Sequence, residues 1–114
     1  MSQSEIKIEI SLGQDKIPES ISWSADATTV LNKQQAKAMI LSFWDGKDKT
    51  ALRMDLWTKD MMVDEMADFF FQTMMTMADS YQRATNQHEL VDDIKSFAKT
   101  FYNKFKHTQT KNHL

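Results

Sequence analysis

The chain has 114 residues, 16 acidic and 14 basic side chains and a formal charge of -2. That balance argues against a general nucleic-acid binder, which needs a concentrated excess of Lys and Arg. The two glycines cannot build a G-x-G-x-x-G or Walker loop, and the lack of cysteine removes disulfides and thiol nucleophiles.

The length predicts one domain over residues 1–106, large enough to bury roughly two-thirds of the surface its unfolded chain exposes. The N-terminus, Met-Ser-Gln-Ser-Glu-Ile-Lys, has no basic segment followed by an apolar one, and no apolar run approaches the roughly 20 residues that span a bilayer. A cytoplasmic protein without direct membrane insertion is expected.

Ile6, Ile8, Ile10 and Leu12 alternate with Lys7, Glu9 and Ser11, which predicts a strand with one apolar row. Gly13-Gln14-Asp15-Lys16 reads as a turn. Ile21 and Trp23 then alternate with serines in a second strand, with Pro18 at its mouth, so the two runs predict an antiparallel hairpin. From Asn32 the spacing of Ala36, Met39, Ile40, Phe43 and Trp44 fits an amphipathic helix that Gly46 ends. Leu52, Met54 and Leu56 return to alternation against Arg53, Asp55 and Trp57, giving a third strand beside the first in the order 2-1-3.

Thr58 or Asp60 is placed to cap the next helix, with Asp64 and Glu65 suited to the positive end of its dipole. Met62, Met66, Phe69, Phe70, Thr73, Met77 and Tyr81 form its main apolar stripe, and Ala67, Phe71, Met74, Met75 and Ala78 widen it. Such breadth predicts burial on more than one side. Asn86 and Glu89 read as a capping box that opens a last helix with Leu90, Ile94, Phe97, Phe101 and Phe105 facing inward. The polar segment 107–114 is read as a frayed tail. The predicted fold class is therefore α+β: a three-stranded antiparallel sheet in the order strand, strand, helix, strand, helix, helix, with the helices packed on one face.

No constellation of catalytic groups emerges. The histidines, His88, His107 and His113, have no metal-ligand spacing, so no metal site and no cofactor are expected. Asp64-Glu65 and Asp92-Asp93 are adjacent carboxylates that point about 100° apart on a helix and cannot share a substrate. No Ser sits in a nucleophile elbow. The basic C-terminal quarter, with Lys95, Lys99, Lys104, Lys106 and Lys111, reads as a solvated helix face.

Two features are suited to protein partners. The methionine-rich helix is first a core element, and its surplus breadth leaves room for a partner helix or a homodimer. Arg53, Asp55 and Trp57 share the strand face opposite Leu52, Met54 and Leu56, an aromatic among charges of the kind found at binding hot spots. The alternative is that Trp57 folds over a sheet edge or under the following helix.

The run from Leu52 through Met61, continuing in Val63-Asp64-Glu65-Met66, Phe69-Phe70 and Gln72-Thr73, resembles the gliding-motility protein GldC family of Bacteroidetes. Ile21-Ser22-Trp23, Ala36-Lys37-Ala38-Met39, Trp44-Asp45 and Arg83-Ala84-Thr85-Asn86 extend the likeness over most of the chain. The resemblance implies a small cytoplasmic accessory protein linked to the gliding and type IX secretion machinery. It brings no catalytic residues with it. The expectation is a non-enzymatic interaction or assembly factor; the rival is a small-ligand-binding or cryptic enzymatic domain.

Overall fold

The computed structural model describes residues 2–26 and 32–112 as five strands followed by two helices: β1 (Ile6–Leu12), β2 (Pro18–Ala25), β3 (Gln34–Ala36), β4 (Ala38–Asp45), β5 (Thr50–Trp57), α1 (Val63–Thr85) and α2 (His88–Asn112). They group into two compact units, Met1–Met61 and Met62–Leu114. The fold is α+β with antiparallel pairing throughout, and every strand precedes every helix.

In the first unit, β1, β2 and β3 form one sheet in that order. Ile8 pairs with Trp23, Ile10 with Ile21, and Ile21 in turn with Ala36. Directly paired residues share a face, so these side chains make one apolar surface, and Ile21 at its centre is 1% exposed. The other face carries Lys7, Glu9, Ser20, Ser22 and Ser24. The β1–β2 turn closes with Lys16 N–H donating to the Gly13 carbonyl and Gly13 N–H to the Ile17 carbonyl, with Lys16 left-handed at φ 62°. This is the turn-plus-bulge connection usual for short hairpins, here with lysine where glycine is the common choice.

Residues 34–45 correct the predicted helix. They form β3 and β4 with a bend at Lys37, and β4 pairs along its whole length with β5, from Ala38 opposite Trp57 to Asp45 opposite Thr50. The apolar spacing of Ala36, Met39, Ile40, Phe43 and Trp44 satisfies a helical period, but a short apolar run satisfies a strand equally well. The aromatic pair Phe43-Trp44 and the Asp45-Gly46 turn favour the strand. Asp45 Oδ1 accepts from the amides of Lys47 (2.9 Å) and Asp48 (3.3 Å), and Lys49 takes the left-handed position at φ 54°. Gly46 is thus part of a hairpin turn. The predicted third strand consequently neighbours β4, and the expected 2-1-3 order is replaced by a three-stranded sheet and a two-stranded one.

The bend at Lys37 is fixed by Thr58, which is 2% exposed. Its amide donates to the Lys37 carbonyl at 2.8 Å, extending the β4–β5 register by one pair. Its hydroxyl lies 3.1 Å from the same carbonyl and also reaches Asp60 Oδ1. That hydrogen bond holds the Asp60 carboxyl below its ordinary range. Thr58 and Asp60 therefore form a corner and do not cap α1.

In the second unit, the N-cap of α1 is Met62, whose amide donates to Glu65 Oε1 at 3.1 Å. Asp64 and Glu65 occupy the first turn as expected. Asn86 is left-handed, φ 57° and ψ 27°, and its amide donates to the Gln82 carbonyl, so it ends α1 instead of capping α2. The helices run antiparallel, with Phe71 stacked on Tyr102 (centroids 4.7 Å apart) and Lys95 paired with Asp79 at 2.7 Å. Ala78 and Ala98 are fully buried and Ala67 and Val91 nearly so. The buried positions of α1 are therefore Ala67 and Ala78, with Phe71 half-buried against Tyr102, while Met62, Phe70, Met77 and Tyr81 from the main predicted stripe are exposed. On α2, Val91 and Ala98 are buried, whereas Leu90 and Phe97, expected to face inward, are exposed. α2 continues to Asn112, through most of the polar segment; residues 113 and 114 lie outside the described residues.

Candidate interaction surface

The β4–β5 hairpin is a two-stranded ribbon, and its pairing assigns each side chain to a face. Met39, Leu41 and Phe43 stand beside Leu56, Met54 and Leu52 on one face, a wholly apolar set. Ala38, Ile40, Ser42 and Trp44 stand beside Trp57, Asp55, Arg53 and Ala51 on the other. The predicted trio Arg53, Asp55 and Trp57 does share a face, because residues two apart on a strand point the same way. Trp44 joins them. It lies near the turn end and Trp57 at the opposite end, so two indoles bracket the charged pair.

Arg53 donates to Asp55 Oδ1 from Nε (3.3 Å) and Nη2 (3.0 Å). Both side chains are about half exposed, 54% and 41%, so this ion pair contributes little to folding. It fixes the two charges in place on the strand. Trp57 is 55% exposed, Trp44 68%, Phe43 61%, Leu52 54% and Met54 52%. Scattered exposed apolar residues are ordinary, but here Trp44 and Trp57 stand exposed on one face of the hairpin while Phe43, Leu52 and Met54 form an apolar patch on the opposite face.

Sequence reasoning missed Trp44 and Phe43 because it placed them on a helix. The available signal was the aromatic pair directly before Asp45-Gly46.

The base of the hairpin is tied to the first turn by Lys59, whose Nζ lies 2.8 Å from Asp15 Oδ2. The contact lowers the Asp15 carboxyl and raises the Lys59 ammonium from their ordinary values. Among the described residues no three His, Cys, Asp or Glu side chains gather into a metal-holding group. A groove of about 290 Å³ runs along α2, lined by Phe97, Thr100, Phe101, Lys104, Phe105 and Thr108, all from that one helix.

A family model described as gliding motility-associated protein GldC-like matches residues 18–107. The chain belongs to the GldC-like family. The match runs from the start of β2 into α2 and so contains the whole β4–β5 hairpin, while β1 lies outside it. Membership makes this a gliding motility-associated protein. Comparisons with curated proteins and with solved structures give no match. No helix among the described residues is long and apolar enough to cross a membrane.

Proposed function

We propose that this GldC-like chain is a non-enzymatic accessory protein of bacterial gliding motility, acting in the cytoplasm as an interaction or assembly factor of the gliding and type IX secretion machinery. The observation that carries the reading is the exposed β4–β5 surface, where Trp44 and Trp57 flank the Arg53–Asp55 pair. Aromatic and arginine side chains are the usual anchors of protein interfaces, since they bury large area at low entropic cost and offer directed hydrogen bonds. A rigid strand pair presents them at fixed spacing.

The test is affinity capture from a gliding cell with the wild-type chain and with a Trp57→Ala, Arg53→Glu variant, followed by mass spectrometry. Gliding-machinery proteins captured by the wild type are expected to fall away with the variant while its circular dichroism is unchanged. An unchanged set of captured proteins on a folded variant would show that this surface is not the interface.

A further inference from the structure

The outer edge of β5 has no strand partner among the described residues, since its sheet consists of β4 and β5 alone. Thr58 N–H donates to the Lys37 carbonyl in the same register as the β4–β5 ladder, which makes that pair a hydrogen-bonded one. Hydrogen-bonded and open pairs alternate in an antiparallel ladder. Leu56, Met54 and Leu52 therefore direct their amides and carbonyls toward β4. Trp57, Asp55, Arg53 and Ala51 direct theirs toward the free edge.

The strand is also chemically symmetric about Met54: Leu52 and Leu56 stand two residues away on either side, Arg53 and Asp55 one residue away with opposite charge. We propose that β5 pairs edge to edge with β5 of a second copy of this chain, antiparallel about a two-fold axis through Met54. Arg53 then faces the partner copy's Asp55, and Asp55 faces its Arg53, in hydrogen-bonded pairs whose N–H and C=O groups are those β5 directs outward. Leu52 lies opposite Leu56, Met54 opposite itself, and Ala51 opposite Trp57. The result is a four-stranded antiparallel sheet whose apolar face joins Phe43, Leu52 and Met54 of both copies, side chains each more than half exposed in one chain.

Charge chooses the second copy over an arbitrary strand. A single charge on an edge strand guards it against pairing, but opposite charges placed symmetrically about a centre attract their own copy in one register only. A slip of one residue would turn every side chain to the other face. β4 carries no such pattern, as its only charge is Asp45 at the turn. The pairing uses the edge of β5 and leaves the Trp44 and Trp57 side chains open to other proteins, but it shares Arg53 and Asp55 with the partner surface above, so the charge swap below is needed to tell the two apart.

The experiment is light scattering on the full chain over rising concentration, with charge variants and single-cysteine variants alongside. The wild type is expected to move from 13.3 kDa toward twice that mass. Arg53→Asp or Asp55→Arg alone places like charges opposite each other and should raise the dissociation constant roughly tenfold or more. The double variant Arg53→Asp, Asp55→Arg restores the attraction and should restore the dimer. If a charge variant fails to fold, the cysteine pair decides. The chain has no native cysteine, and the two Met54 positions face each other at about 4.5 Å between Cα atoms, within disulfide reach. Met54→Cys should cross-link on mild oxidation, and Leu52→Cys, about 13 Å from its own copy, should not. A monomer at every concentration, a dimer indifferent to the charge variants, or equal cross-linking of both cysteine variants would overturn the proposal. Loss of captured partners by the double charge swap with its dimer intact would separate this edge from the hetero-partner surface.

Discussion

Replacing Ile21 by Ala tests whether the centre of the β1–β2–β3 sheet is the main core of the first unit. Ile21 is 1% exposed, with Ile10 opposite on one side and Ala36 on the other. The substitution removes three carbons, which at about 0.8 kcal/mol per methylene is about 2.4 kcal/mol of lost transfer energy. Ala36 is too small to fill the space, so a cavity cost adds to this and the total should be about 3 kcal/mol. Ile6→Ala is the control. It belongs to the same apolar row but is 76% exposed, and its truncation should cost about 0.5 kcal/mol or less. Urea titration followed by tryptophan fluorescence isolates the first unit, because Trp23, Trp44 and Trp57 all lie within it. The midpoint should fall for Ile21→Ala at unchanged slope and barely move for Ile6→Ala. Equal shifts for the two variants would refute the assignment of the core.

Gly46 has a negative φ, and a Cβ added there would meet nothing within 4 Å. Gly46→Ala should therefore stabilise the hairpin by about 0.5 kcal/mol through the unfolded state, read as a small rise in the urea midpoint. Ala98 is fully buried in the helical unit, so Ala98→Leu should destabilise by about 1–3 kcal/mol in a melt followed at 222 nm; a neutral result would mean there is room beside it. The Asp15–Lys59 contact acts at both ends of the pH scale. The folded-state pKa of Asp15 is lowered from 3.8, so its contribution is present above that value and disappears as pH falls through the lower folded value. That of Lys59 is raised from 10.5, so its contribution is present below that value and disappears as pH rises through the higher folded one. Asp15→Asn should flatten both limbs of a stability–pH profile, and a profile identical to the wild type would contradict the pairing.

The elements whose signal is local were legible in the sequence. Strict alternation in Ile6–Leu12 and in Leu52–Leu56 marked β1 and β5, and the long 3.6-residue pattern after Met62 marked α1. Residues 34–45 were not, because a helix and a pair of bent strands place Ala36, Met39, Ile40, Phe43 and Trp44 equally well. What decides between them is β5, a partner distant in sequence, and a bend at Lys37 held by Thr58. The same nonlocality explains the site. Alternation alone put Arg53, Asp55 and Trp57 on one face, but only the β4–β5 register shows that Trp44 shares it. Asn86 illustrates a different difficulty: the same residue type suits the start of one helix and the left-handed end of another, and its φ of 57° selects the end.

The proposed role of this chain in gliding rests on its exposed β4–β5 surface. The most direct measurement is the gliding speed of cells whose own copy is replaced by the Trp57→Ala, Arg53→Glu variant, at matched protein abundance. Impaired gliding with a folded, normally abundant variant is the predicted result. Gliding at wild-type speed would contradict the claim.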